Sequence, residues 1–299
     1  MDASKGTPAG QSAAGPDEQG RITQAARLLG GLTLLSRVAG LLRDLVIAAL
    51  FGASASADAF FVAFRIPNLF RRIVAEGAAS TAFVPVFTSY RTREGDRSAT
   101  EAAAAVGGAA VVVLAVVVGL GVVLADPVVT LFAPGFGADL SKRALTVSLL
   151  RWTFPYLLLV GLAAWAMGTL HSFRRFTEPS LGPILLNVAI IGSAVGLAPH
   201  LREPVYALAA GVLIGGSLQF LVQAPTLSSL GVRWPDMWRA RHPARGRVGR
   251  LLVPTLFGGA VYQIGILVST ILASLLPERS ISYLWYADRV FEFPLGIVA

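Results

Sequence analysis

Long apolar blocks alternate along this chain with short polar connections. Each block approaches the roughly 20 residues that a membrane-spanning helix needs. The blocks are 28–50, 58–90, 102–125, 144–171, 180–198, 204–231, 251–276 and 280–299, and the purest of them, 102–125, carries no charge. The runs are continuous rather than alternating residue by residue, so they predict helices and fit a β-barrel poorly. The fold class expected is an all-α polytopic membrane protein. Residues 1–20 are small, polar and rich in Gly and Pro, with no apolar segment that would make a secretory signal; they are expected to form a disordered tail. The last block is still apolar at Ala299, so the chain is expected to continue past it.

Composition sharpens this picture. Hydrophobic residues make up 55% and charged residues 14% of the 299, against about 25% charged in a typical soluble domain. Mean hydropathy is +0.66. With no Cys, disulfide frameworks, thiolate metal sites and Cys nucleophiles are excluded. The net charge of +8 would point a soluble protein toward nucleic acid, but here basic loops account for it.

The basic residues also orient the chain. One side of the predicted bundle holds Lys5, Arg21, Arg27, Arg91, Arg93, Arg97, Arg174, Arg175 and the arginines between Arg233 and Arg250; the other has Lys142, Arg143, Arg202 and Arg279. This bias places the N-terminus in the cytoplasm. The run Arg239–Arg250 reads as a topology anchor against anionic lipid, with Trp234 and Trp238 at the interface.

The remaining arginines, Arg37, Arg43, Arg65, Arg71, Arg72, Arg151 and Arg289, fall at or within spans. An arginine at the bilayer centre costs at least ~2.5–3.5 kcal/mol, so these face one another or a wet cavity. In the first two blocks Arg37, Arg43, Arg65, Arg71 and Arg72 outnumber Asp44, Asp58 and Glu76. At about 100° per residue, Asp58, Arg65, Arg72 and Glu76 share a stripe, with Asn68 near its edge and Arg71 pointing away. Pro67 interrupts that helix and is able to turn Arg71 inward. Arg37 and Asp44 share a face of the first block, whereas Arg43 and Asp44, as neighbours, are expected to point apart. Two readings compete. In the plain one the charges are internal salt bridges that fix packing, as Arg72 and Glu76 at i,i+4 would be. In the other, a positive excess lines a water-filled cavity for an anion, since arginine forks bind phosphate and stay charged when buried.

The residues resemble the MurJ/MviN family of lipid II flippases, within the multidrug/oligosaccharidyl-lipid/polysaccharide exporter superfamily. The resemblance rests on SRVAGLLRD (Ser36–Asp44), DAFFVAFRIPNLFRR (Asp58–Arg72), AEGA (Ala75–Ala78), AFVPVF (Ala82–Phe87), APGF (Ala133–Phe136), TFPY (Thr153–Tyr156), GGSLQF (Gly215–Phe220) and YADRVFEFPLG (Tyr286–Gly296). It implies an N-terminal six-helix lobe (21–232), a basic cytoplasmic linker (233–250) and the first two helices of a second lobe (251–299), truncated relative to about fourteen helices in the family. It further implies transport of lipid II between leaflets of the bacterial cytoplasmic (inner) membrane by alternating access through a cationic cavity. By motif, Arg37, Arg43, Arg71 and Arg289 would hold the diphosphate. Asp58, Arg65, Asn68, Glu76 and Asp288 would set the cavity charge, the acids pairing with the arginines when the site is empty. The partners implied are lipid II, the bilayer and the cell-wall synthesis machinery; no nucleic acid, cofactor or metal is expected.

Two rivals are an exporter of another polyprenyl-diphosphate-linked glycan and a non-transporting cell-wall scaffold. An enzyme is disfavoured. His171, His200 and His242 lie in or beside loops without clustered partners, and no phosphate loop or H-E-x-x-H motif occurs. Gly211 and Gly215 form a GxxxG face suited to close helix packing.

Overall fold

The computed structural model describes residues 16–71, 79–238 and 242–298. Among these, every regular element is helical. In chain order the α-helices are α1 (Pro16–Phe51), α2 (Ala55–Arg71), α3 (Val84–Glu94), α4 (Asp96–Val123), α5 (Ala125–Phe132), α6 (Leu140–Thr153), α7 (Tyr156–Ser172), α8 (Thr177–Gly196), α9 (Tyr206–Leu221), α10 (Ala224–Ser229), α11 (Pro243–Ser274) and α12 (Ser280–Val298). Among the described residues four stretches are long and apolar enough to cross a membrane: Asp96–Val123, Leu140–Ser172, Thr177–His200 and Tyr206–Ser229.

Helix α1 begins at Pro16, inside the stretch expected to be tail. Pro16 followed by Asp17 and Glu18 is a helix-start pattern, with proline at the first position and acids at the positive end of the dipole. Residues 1–15 lie outside the described residues. Likewise α11 starts at Pro243, inside the expected linker. There Arg245 departs from the lipid-anchor reading, because its Nε donates to the Ala105 carbonyl at 2.8 Å and its Nη2 to the Met237 carbonyl at 3.2 Å.

The turn between α1 and α2 is short because its residues suit it. Gly52 sits at φ +59° just past the end of α1, the left-handed position glycine takes at helix ends. Ser54 then caps α2, its Oγ accepting from Ala57 N at 3.1 Å. Pro67 does not end α2. A proline removes the N–H that would bond the Ala63 carbonyl, and the Thr153 hydroxyl of α6 lies 3.2 Å from that carbonyl, sharing its one proton with the Leu149 carbonyl at 3.0 Å.

The expected GxxxG packing is present. A Cβ on Gly211 would lie 2.7 Å from Ile190 Cα, and one on Gly215 2.8 Å from Leu186 Cα, so α8 and α9 approach backbone to backbone. Helix α8 also packs on α1, and α2 packs on α6. In α4, Ala102–Gly108 is buried, whereas Val112, Val113, Val116, Leu120 and Val123 face outward, as lipid-exposed positions do. The buried half accommodates Trp165, whose Nε1 donates to the Ala103 carbonyl at 2.8 Å. The ends that carry Arg91 and Arg174 are neighbours: Arg91 Nη1 donates to the Ser172 carbonyl at 2.9 Å, and its guanidinium lies over Phe173.

Candidate functional site

Charged side chains from α1, α2 and α12 converge between the helices. Arg43 is buried and does not point away from Asp44: its Nε and Nη2 both donate to Asp44 Oδ1, at 3.0 and 2.8 Å. The expectation from helix phase fails because the arginine stem is long enough for the guanidinium to fold back onto its neighbour. Arg43 Nη1 donates to Asn187 Oδ1 of α8 at 3.0 Å, and Asn187 Nδ2 reaches the Ser36 carbonyl at 3.3 Å. Asp44 also receives Arg289, Nε to Oδ2 at 3.0 Å, and Trp285 Nε1 at 3.4 Å. One buried carboxylate is thus shared by two guanidiniums.

Arg65 donates to Thr270 Oγ1 of α11 at 2.8 Å, and its guanidinium lies 5.2 Å from the Trp285 ring centre. Arg289 lies 5.3 Å from the same ring, so Trp285 supports two cations through its π face. Arg71 Nε donates to Asn68 Oδ1 at 2.8 Å. This hydrogen bond turns Arg71 into the space beside Arg43, although ideal helix phase points it elsewhere.

Three cavities meet at Arg289. The first, about 370 Å³, is lined by Arg43, Asn68, Arg71, Asn187, Gln219, Gln223 and Arg289, among others. The second, about 550 Å³, holds Arg65, Asn68, Gln263, Trp285, Asp288 and Glu292. The third, about 420 Å³, holds Ser36, Arg37, Arg43, Asn187 and Glu292. Among the described residues Arg37 is exposed, with no ion pair. Asp288 is exposed too and, among the described residues, pairs with no arginine, contrary to expectation; Glu292 takes that place, 2.8 Å from Arg289. Arg37, Arg43, Arg65, Arg71 and Arg289 therefore outnumber Asp44, Asp288 and Glu292 around the chamber.

Asp58 stands apart from this set. It was expected to pair with the chamber arginines, but its Oδ2 lies 2.8 Å from Lys142 Nζ of α6. Its Oδ1 accepts from Ser282 N at 2.8 Å and Ser282 Oγ at 2.5 Å, and its Oδ2 from Arg279 N at 3.0 Å. The carboxylate caps α12 and holds Arg279 at φ +76°, a left-handed conformation uncommon for a side-chain-bearing residue. Lys142, placed by sequence in a polar connection, is buried there. Glu76 and Arg72 lie outside the described residues.

Sequence reasoning missed Asn187, Gln219, Gln223, Trp285 and Lys142. The three amides carried a usable signal, since each is a polar group inside an apolar block. Lys142 carried none. Among the described residues no group of three or more His, Asp or Glu is placed to hold a metal ion.

Comparison with known proteins gives a consistent answer. Residues 47–299 match the family model described as lipid II flippase MurJ. The chain is 41% identical over 281 residues to the lipid II flippase MurJ of Burkholderia cenocepacia, covering 93% of this chain and 54% of that protein. It is 43% identical over 274 residues to the probable lipid II flippase MurJ of Haemophilus influenzae, covering 89% and 54%. A solved structure of a lipid II flippase MurJ in an inward closed conformation superposes with a TM-score of 0.74 at 28% identity, over 90% of this chain and 55% of that one. The chain spans about half the length of the curated relatives it matches. With its apolar helices and a family match over most of its length, this multi-pass membrane chain belongs to the MurJ lipid II flippase family.

Proposed function

We propose that the protein built on this chain carries lipid II from the inner to the outer leaflet of the bacterial cytoplasmic membrane and is a transporter, not an enzyme. The observation that carries this reading is the sharing of Asp44 between Arg43 and Arg289 at the meeting point of three cavities. A diphosphate offers more acceptor oxygens than one carboxylate and matches the arginine fork. It would take Arg43 and Arg289 from Asp44 by exchanging partners and add Arg71 and Arg37, so that the positive excess of the empty chamber is balanced when the site is filled. A polar headgroup cannot cross hydrocarbon unaided, because each of its polar groups would lose its hydrogen bonds.

The proposed architecture is a cytoplasmic tail (1–20, of which 16–20 belong to α1), a six-helix lobe (21–232), a basic cytoplasmic connection (233–250) and the start of a second lobe (251–299). The N-terminus is placed in the cytoplasm by the distribution of basic residues. The lobes would rock about the chamber to open it to each side in turn. Asp58, Lys142, Ser282 and Arg279 would then act as a clasp between the first lobe and α12. Glu76 and Asp288 would supply further negative charge along the path.

Depletion of the gene tests this reading. Lipid II is expected to accumulate in the inner leaflet, and the Arg43→Ala and Arg71→Ala variants are expected to express without restoring growth. Normal growth on both variants would overturn it.

A further inference from the structure

Trp285 of α12 is buried at the edge of the second cavity, where the charges of the chamber converge. Phe61 of α2 stacks on its indole, ring centres 4.7 Å apart and planes 17° from parallel, which sets the orientation of the ring. The guanidinium of Arg65 lies over the indole at 5.2 Å from its centre, and that of Arg289 at 5.3 Å. The indole Nε1 donates to Asp44 Oδ1 at 3.4 Å. One side chain therefore reaches both partners of the Arg289–Asp44 ion pair. Trp285 and Arg289 are four residues apart on α12, about one helical turn, so the helix itself brings ring and guanidinium together.

The contacts on Arg289 differ in how they respond to an incoming anion. Asp44 holds Nε and Glu292 holds Nη1, so an anion that takes those donors displaces a carboxylate. The indole occupies no donor. It attracts the cation through its electron-rich face and leaves the N–H groups of the guanidinium free to turn to another acceptor. Without such a support, an arginine released by Asp44 would be ordered afresh at each binding event, at a cost in side-chain entropy. Tryptophan suits the task, since its ring attracts cations more strongly than that of tyrosine or phenylalanine.

We propose that Trp285 is a positioning residue for the anion site: its ring holds the Arg289 guanidinium in the chamber while a diphosphate displaces Asp44. This inference rests on the diphosphate reading above and deepens it. Trp285 acts through Arg289 rather than on the ligand. The same ring holds Arg65, which donates to Thr270 of α11 at 2.8 Å, and so keeps a second cation beside the site when Asp44 lets go.

The test is equilibrium binding of undecaprenyl diphosphate by the purified chain in lipid nanodiscs. Trp285→Leu is expected to weaken binding about tenfold, and Trp285→Phe, which keeps an aromatic face, to retain most of the affinity. In an Arg289→Gln background Trp285→Leu is expected to cost less than about threefold, because the group it positions is gone. A loss as large in that background as without it overturns the assignment, since a role in packing alone would not depend on Arg289. So does an unchanged affinity in Trp285→Leu, or a loss in Trp285→Phe equal to that in Trp285→Leu. Unchanged binding in Arg289→Gln alone overturns the underlying diphosphate reading instead, and failure of the unsubstituted chain to bind counts against both. Should Trp285→Leu not fold, fluorinated tryptophans decide. They weaken the negative face of the ring at nearly constant shape, and among the described residues no other tryptophan has an arginine over its ring. Affinity is expected to fall with each added fluorine, and an affinity independent of fluorination overturns the assignment.

Discussion

Arg289 of α12 meets Asp44 of α1 at 3.0 Å, Nε to Oδ2, on the carboxylate that Arg43 already occupies at 2.8 Å. The contact joins the two ends of the described chain across the chamber and makes Asp44 the hinge of its charge balance. Replacing Asp44 by Asn keeps the shape and leaves two guanidiniums facing a neutral amide. The apparent Tm of the purified chain is expected to fall. In a double-mutant cycle with Arg289→Gln, the combined loss is expected to be smaller than the sum, with a coupling of about 0.5–3 kcal/mol. Additive losses would show that the pair does not interact.

The Asp58 clasp makes an asymmetric prediction. Asp58→Ala strands Lys142, which is only 7% exposed, and removes the acceptor for Ser282 and the Arg279 amide. Breaking a buried pair in this way costs about 3–5 kcal/mol. Lys142→Met is expected to cost less, because Asp58 keeps its three donors from the α12 end. Thermal unfolding ranks the two variants, and hydrogen exchange at Arg279 and Ser282 is expected to quicken in Asp58→Ala far more than in Lys142→Met.

Close packing of α8 on α9 depends on absent side chains. Gly215→Leu would drive a Cβ to 2.8 Å from Leu186 Cα, and that backbone atom cannot turn aside as the Leu186 side chain can. Loss of a monodisperse peak on size-exclusion chromatography is expected for Gly215→Leu. Gly192→Leu is expected to retain it, since nothing lies within 4 Å of a Cβ there.

At the start of α6, Asp139 accepts from Ser141 Oγ at 2.7 Å, Ser141 N at 2.9 Å and Lys142 N at 3.0 Å. The Ser141 hydroxyl bond, followed by the Lys142 amide bond, holds the Asp139 carboxyl below its ordinary pKa. A depressed carboxylate contributes stability above its unfolded pKa and loses it as pH falls through the folded value. Asp139→Ala is therefore expected to lower the Tm at neutral pH, with the difference from the unsubstituted chain shrinking to nothing in strong acid. A gap that persists in acid would mean the charge is not the cause.

Much of the helical fold was readable in the sequence because bilayer length and helix period leave few alternatives. The apolar blocks 102–125, 144–171, 180–198 and 204–231 overlap the four long apolar stretches among the described residues, and the GxxxG face packs closely, its partner being α8. Position inside apolar blocks also marked the arginines as a set, although helix phase pointed Arg71 away. Phase along one helix was the only guide to contacts. It could not give pairings, which depend on side-chain reach and on distant helices. Arg43 folds back to the adjacent Asp44, Asp58 finds Lys142 from another element, and Trp285 backs two guanidiniums. The Ala/Gly half of α4 was silent for a related reason: small residues look the same whether they face lipid or, as Gly107 does, the ring of Trp165.

The central claim is that the chamber arginines hold a diphosphate, and its most direct measure is the affinity of the purified chain for undecaprenyl diphosphate in nanodiscs. Arg43→Gln, Arg71→Gln and Arg289→Gln are each expected to weaken binding by about tenfold or more, as loss of a charge-assisted hydrogen bond does, while Arg202→Gln, on an exposed connection, leaves it unchanged. Affinities equal to that of the unsubstituted chain in all three chamber variants would contradict the account.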